Sequence, residues 1–273
     1  MVEPAAPGYL VARAVRMAFL ARGTGPRHLT FLPGNLCTVH SWSEVLRRLP
    51  EPEYRCLAVD YLVGSDRPWG GWTVSGIADL TRDVLDTSGV SRTVLVGHSA
   101  GGLAALLFAL RFPERLAGLV VVASGARMTG HRTFDGLAEA LSRPEVPQGF
   151  LERALTGMWS VPPPVEVLVR DLGLLGAVRE RMRDVLLSCA DYDLRGQLGS
   201  LSVPTLVCQA ELDRGRPLAH GQELAEGIPG AQLVRFDTGH MIPLEDPAGL
   251  AHALRVFVGT DAWDEETDQR EKR

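Results

Sequence analysis

The chain is 273 residues long, 45% hydrophobic and 22% charged, with a net charge of −5. That length fits one large α/β domain, or a core with an inserted subdomain, and the composition is that of an ordinary globular protein. The slight acidity gives no electrostatic footprint for nucleic acid or an anionic membrane. Cys37, Cys56, Cys189 and Cys208 lack the C-x-x-C pairing of a zinc site and the spacing of a disulfide framework.

The N-terminus, MVEPAAPG, has no basic region followed by an apolar one, and no stretch reaches the length of a membrane span. A soluble, cytoplasmic protein with reduced thiols is expected. Lys272 is the one lysine, so the positive charge is almost all arginine, which reads as coding bias rather than chemistry.

In chain order, Tyr9 to Ala21 alternates loosely and suggests one or two strands. His28 to Leu32 is a short apolar strand running into Pro33-Gly34-Asn35. A helix is predicted over Ser41 to Leu49, stopped by Pro50, then a strand over Tyr54 to Val59. After a loop rich in Gly, Pro and Trp, a helix is predicted from Val74 to Thr87. The runs Thr93 to Val96 and Leu116 to Ala123 are continuously apolar, as strands covered on both faces of a mostly parallel sheet must be.

From Ser124 to Ser200 the strand rhythm stops and the pattern is helical, interrupted by Pro144, Pro147 and Pro162 to Pro164. Strand character returns at Pro204 to Gln209, followed by a helix near Pro217 to Gly227. A strand over Gln232 to Phe236 and a helix over Asp246 to Val258 complete the pattern. The reading is an α/β core over 1–123 and 201–260, a helical cap inserted over 124–200, and a charged, frayed tail over 261–273.

The stretch from Thr93 to Leu110 joins a strand to a helix through Gly97-His98-Ser99-Ala100-Gly101, a G-x-S-x-G nucleophile elbow. A strained turn lifts the Ser hydroxyl above the sheet edge, and the packing around it needs minimal side chains at Gly97 and Gly101. Gly102 lets the helix approach the strand. The helix starting at Ala100 directs free N–H groups and its positive dipole end at the same point.

A Ser hydroxyl needs a base, and the base a carboxylate that fixes its tautomer. His240 follows the last predicted strand in Asp237-Thr238-Gly239-His240-Met241 and is the candidate base. Asp213, after the preceding strand, is the candidate acid; Glu211 is its nearest rival, and Asp237 lies closer to His240 in sequence. His98 reads as structural. The backbone N–H groups of Ala100 and Asn35 are the candidate oxyanion donors, although Pro33-Gly34-Asn35 also reads as a plain turn.

The motifs GHSAGG, VPTLVCQAELD and DTGHMIPLEDP, in this order and spacing, resemble the α/β-hydrolase superfamily, specifically its single-domain hydrolases with a helical cap. The resemblance covers Arg16 to Val258. It implies a mostly parallel sheet flanked by helices, with Ser99 as nucleophile, Asp213 as acid, His240 as base, and Asn35 with Ala100 at the oxyanion. Two departures stand out: Pro33-Gly34 replaces a frequent His-Gly, and YLVGSDRP after Asp60 lacks the usual Arg-Gly. Epoxide hydrolases and haloalkane dehalogenases of the superfamily use an Asp where Ser99 stands, which favours acyl chemistry.

The expected activity is hydrolysis of an ester, lactone or thioester through an acyl-enzyme, with no cofactor and no metal. The same triad also serves C–C bond hydrolysis, perhydrolysis, and acyl transfer or cyclisation; a non-catalytic ligand-binding protein is the reading from outside enzymology. A small, largely apolar acyl substrate is expected, in a pocket drawing on Trp42, Phe134, Phe150, Met158, Trp159 and Met241. Trp69 and Trp72 are weaker candidates, and Arg127 and Arg132 are weak partners for a substrate carboxylate.

Overall fold

The computed structural model describes residues 6–12, 15–62, 71–128, 132–143 and 149–259. The tail 261–273, Trp69, His131, and the side chains of Arg132 and Phe134 lie outside the described residues.

The strands are β1 (Ala6–Ala12), β2 (Val15–Arg22), β3 (Arg27–Leu32), β4 (Tyr54–Val59), β5 (Thr93–His98), β6 (Leu116–Val122), β7 (Thr205–Ala210) and β8 (Gln232–Phe236). They form one sheet in the order β1-β2-β4-β3-β5-β6-β7-β8. The β1–β2 and β2–β4 pairs are antiparallel and every later pair is parallel. Every residue of β5, β6 and β7 is buried, while the edge strand β8 is largely exposed or half-buried. Continuous apolar runs mark the strands covered on both faces, as the sheet geometry requires.

The covering helices are α1 (Ser43–Arg47), α2 (Val74–Thr87), α3 (Ala100–Arg111), α4 (Arg132–Ser142), α5 (Phe150–Thr156), α6 (Val165–Gly176), α7 (Arg179–Cys189), α8 (Leu218–Gly227), α9 (Ile242–Glu245) and α10 (Pro247–Gly259). Two hydrophobic cores result. One includes Leu85 of α2, Leu103 and Leu107 of α3, and Leu155, Met182 and Val185 of the inserted helices. The other joins Val45 and Leu46 of α1 to Leu250, Leu254 and Phe257 of α10 across the strands. The cap, α4 to α7, therefore shares a core with one face of the sheet.

Three local details differ from the sequence expectation. The helix expected from Ser41 begins as a 3₁₀ turn, Val39–Trp42, before α1. The single helix expected from Asp246 is preceded by the short α9. Asp246, at φ −136° and ψ 65°, separates α9 from α10. Pro247 is the cause: a residue before proline is pushed out of the helical region. The Asp246 carboxylate then accepts from Gly249 N–H at 2.8 Å and caps α10.

The third detail lies at the base of the cap, where Arg127 and Asp193 form a β-bridge and Leu194 N–H donates to Ala126 O at 2.8 Å. The chain thus leaves and re-enters the core through one paired neck. Val74 N–H also donates to Ser188 Oγ at 2.9 Å, which ties α2 to the cap helix α7.

Candidate active site

Strand β5 ends at His98, helix α3 begins at Ala100, and Ser99 between them sits at φ 52°, ψ −117°. A non-glycine residue there is strained by about 1–3 kcal/mol and must be held by its surroundings. The restraints are specific. Ser99 N–H donates to Val122 O at 2.9 Å, and Ser99 O accepts from Gly102 N–H at 2.9 Å and from Ser124 Oγ at 2.7 Å. The Ser124 tie has no sequence signature.

The glycines serve close approach. A Cβ on Gly97 would stand 2.3 Å from Gly101 O, and one on Gly101 would stand 2.5 Å from Pro33 O. Neither position tolerates any side chain without moving backbone.

His240 follows β8 and is held at three atoms and through its ring. Its N–H donates to Met158 O at 2.7 Å and its O accepts from His98 Nε2–H at 2.9 Å. Its Nδ1–H donates to Asp213 Oδ2 at 2.6 Å, and its ring packs against His98 with centroids 4.9 Å apart. On the other carboxylate oxygen, Asp213 Oδ1 accepts from Gly215 N–H and Arg216 N–H, both at 2.7 Å. Burial raises the pKa of the Asp213 carboxyl. The His240 charge, its hydrogen bond and the two backbone donors outweigh burial and hold the net value below the usual one. Asp213 therefore stays a carboxylate. The rival Glu211 is exposed and faces Arg235 at 3.9 Å.

The loop after β3 is braced by two groups. Tyr61 Oη–H donates to Pro33 O at 2.9 Å, and the buried Asp60 carboxylate accepts from Val39 N–H at 2.8 Å and Leu62 N–H at 3.0 Å. These contacts involve Pro33 and the start of the loop after β4. The side chain of Asn35 reaches the cap, its Nδ2–H donating to Met182 O at 3.0 Å.

The cap is fastened to the histidine loop as well. Glu245 Oε2 accepts from Gly239 N–H at 3.2 Å, from Ser160 N–H at 3.0 Å, and from Ser160 Oγ. A Cβ on Gly239 would stand 2.5 Å from Ser160 N, so that loop can be approached only at a glycine. The ties from Ser160 to Glu245 run between distant segments and carry no sequence signature.

A cavity of about 390 Å³ lies at this point, bounded by core residues Asn35, Ser99, Ala100 and His240 and by cap residues including Phe150 and Met158. Of the expected pocket residues, Phe150 and Met158 line it. Trp42 does not: it is fully buried under the elbow, 5.1 Å from the Phe31 ring and edge-on to His98. Met241 is also interior, its Sδ 3.8 Å from Cys37 Sγ, and Trp159 is half-buried outside the lining. Both neighbour a lining residue in sequence, but their side chains are turned elsewhere. Trp72 packs in the core beneath the Arg181 guanidinium, and Arg127 belongs to the neck.

His98 is fully buried. Burial, followed by the nearby His240, lowers its pKa to about 3. Its Nε2 donates to a carbonyl, so the neutral ring carries its proton there and leaves Nδ1, 3.7 Å from Cys37 Sγ, as acceptor. The unfolded chain takes up a proton near pH 6.5 and the folded chain near pH 3. Stability is therefore flat above about pH 6.5 and falls as pH drops, by up to about 1.4 kcal/mol per unit from this group. Urea unfolding between pH 7 and 4.5 should show that slope in the wild type and a shallower one in His98→Gln. Equal slopes would remove His98 as the source.

The model of the Alpha/beta hydrolase family matches residues 31–253. Lipase LipV of Mycobacterium tuberculosis is 28% identical over 245 residues, covering 83% of this chain and 94% of its own. The strigolactone esterase RMS3 of Pisum sativum is 26% identical, covering 86% of this chain and 94% of its own. Among solved structures, a thermophilic esterase from Thermogutta terrifontis superposes with a TM-score of 0.81 at 25% identity, over 93% of this chain and 98% of its own. Among the described residues no helix is long and apolar enough to cross a membrane. A family model spanning most of the chain, joined to this sheet order and inserted cap, leads to one assignment: the chain belongs to the alpha/beta hydrolase family.

Proposed function

We propose that the protein is a serine hydrolase that cleaves an ester, lactone or thioester through an acyl-enzyme on Ser99. The observation that carries this reading is the 2.6 Å contact of His240 Nδ1 with the buried Asp213 carboxylate, on the wall of the cavity that Ser99 also lines. The lipase and esterase among the similar proteins support it.

In this reading, His240 Nε2 takes the Ser99 proton as Oγ attacks the acyl carbon. The carbonyl electrons move onto oxygen, where the N–H groups of Ala100 and Asn35 receive the charge; one such donor is worth about 10² to 10³ in rate. His240 returns the proton to the leaving alcohol or thiol. It then takes a proton from water as the hydroxyl attacks the acyl-enzyme, and collapse of that second intermediate frees the acid and Ser99. Asp213 holds the imidazole in the Nδ1–H tautomer and stabilises the imidazolium without accepting its proton.

The test is intact mass after incubation with a fluorophosphonate. One phosphonyl adduct on the wild type and none on Ser99→Ala is expected. A folded wild type that stays unmodified, or an adduct that survives Ser99→Ala, would overturn the reading.

A further inference from the structure

The cavity wall holds a charged group that the triad does not use. Arg216 follows Asp213 by three residues, lines the cavity, and is only 3% exposed. Its backbone is occupied: N–H donates to Asp213 Oδ1, and O accepts from Gln209 Nε2–H at 2.6 Å. Its guanidinium is not. Nη1 is buried with no hydrogen-bond partner, and Nη2 meets only the thioether sulfur of Met128, which is a weak acceptor.

Burying an unpaired cation costs several kcal/mol, and arginine does not escape the cost by losing its proton. Burial does lower the pKa of this group, with the charge of Asp213 acting the other way. Asp213 does not supply the missing acceptor: its oxygens face His240 and the backbone N–H groups of Gly215 and Arg216, and no hydrogen bond joins its carboxylate to the guanidinium. Among the described residues lining the cavity there is no Asp or Glu; the other charged one among them is Arg153, exposed on α5. The rest of the wall is mostly apolar, with Met128, Leu137, Phe150, Met158 and Leu186. An apolar chamber walled by a buried arginine whose Nη1 lacks an acceptor suits a ligand with an apolar body and one anionic end.

We propose that Arg216 is a specificity-determining residue that binds a carboxylate carried by the acyl substrate, so that the preferred substrates are monoesters or thioesters of dicarboxylic acids. This rests on the acyl-hydrolase reading and narrows it. The buried guanidinium of Arg216 balances one carboxylate. Arg216 stands three residues from Asp213 and is bonded to it through its backbone N–H, so a bound carboxylate is held on the core rather than on the cap.

The experiment pairs methyl pentanoate with monomethyl glutarate, in which a carboxylate stands where the first has its terminal methyl. Acid release is followed by pH-stat titration for the wild type, Arg216→Met and Arg216→Lys. The wild type should favour the glutarate ester in kcat/KM by about 30-fold or more, the loss typical of removing one partner from a buried charge pair. The ratio should collapse towards one in Arg216→Met and be partly kept in Arg216→Lys, which retains the charge without the fork.

In parallel, free glutarate should raise the Tm of the wild type and of Ser99→Ala with concentration, and not that of Arg216→Met. A wild-type ratio of one or less, an unchanged ratio in Arg216→Met, or no glutarate-dependent rise in Tm would overturn the proposal. So would an equal rise with inorganic phosphate. If neither ester is turned over and no fluorophosphonate adduct forms, the acyl-hydrolase reading fails. The Tm arm then still decides whether Arg216 binds a carboxylate.

Discussion

Ser99→Ala should lower kcat on p-nitrophenyl butyrate by about 10⁴-fold or more while leaving the fold in place. Two independent arguments meet at this residue. The chemical one is that among the described residues no other hydroxyl combines the strand-to-helix turn, the adjacent helix N-terminus and a shared cavity with His240. The conformational one is that a serine at φ 52° is held at a cost, and the ties to Val122, Gly102 and Ser124 show where that cost is met. Alanine keeps the Cβ, so Ser99→Ala loses the reaction without relieving the strain. Ser99→Gly should lose the reaction and gain stability, by about 1 kcal/mol or a few degrees in Tm, because glycine adopts positive φ without penalty. A Ser99→Ala protein with near-normal turnover would sink the nucleophile assignment, and an unfolded one would mean that the hydroxyl has a structural duty.

What the sequence made legible follows from the range of each signal. The strands β4 and β8 and the helix α2 match their expected bounds because each is a closed apolar pattern with turn residues at both ends. The elbow is legible because its glycines, serine and helix start lie within a few residues. The ties that hold the site cross long stretches of chain: His98 to His240, Tyr61 to Pro33, and Glu245 to Ser160. No local periodicity reports such contacts. Side-chain direction was equally hidden. Trp42 and Met241 sit near cavity residues in sequence, but both turn into the interior. Arg216 carries no mark in the sequence for a related reason: in a chain whose positive charge is nearly all arginine, one more arginine three residues after Asp213 reads as surface. Only burial and an empty Nη1 distinguish it.

Asp213→Asn should cost about 10⁴ in kcat on the same ester, and the hydrogen bonds say why a near-isosteric change is so damaging. The N–H groups of Gly215 and Arg216 both point at Oδ1, so that position must be an acceptor. The asparagine oxygen is therefore held there, and its NH₂ is turned to His240 Nδ1. Facing a donor, Nδ1 becomes the acceptor, the imidazole proton moves to Nε2, and His240 can no longer take a proton from Ser99. The ring stays in place, since Met158 O and His98 Nε2 hold the His240 backbone. The loss should thus fall in kcat rather than KM, and ¹⁵N chemical shifts of His240 should report the exchanged tautomer. Stability moves with a defined sign. The Asp213 carboxyl titrates lower when folded than its unfolded value near 3.9, so its contribution is complete above about pH 4 and is lost as pH falls through the folded value. Asparagine abolishes that acid-side loss. Glu211→Gln is the control: that carboxylate is exposed beside Arg235, and its variant should keep its rate. If Glu211→Gln were damaging and Asp213→Asn mild, the acid would have to be reassigned, and with it the tautomer on which the proton transfer depends.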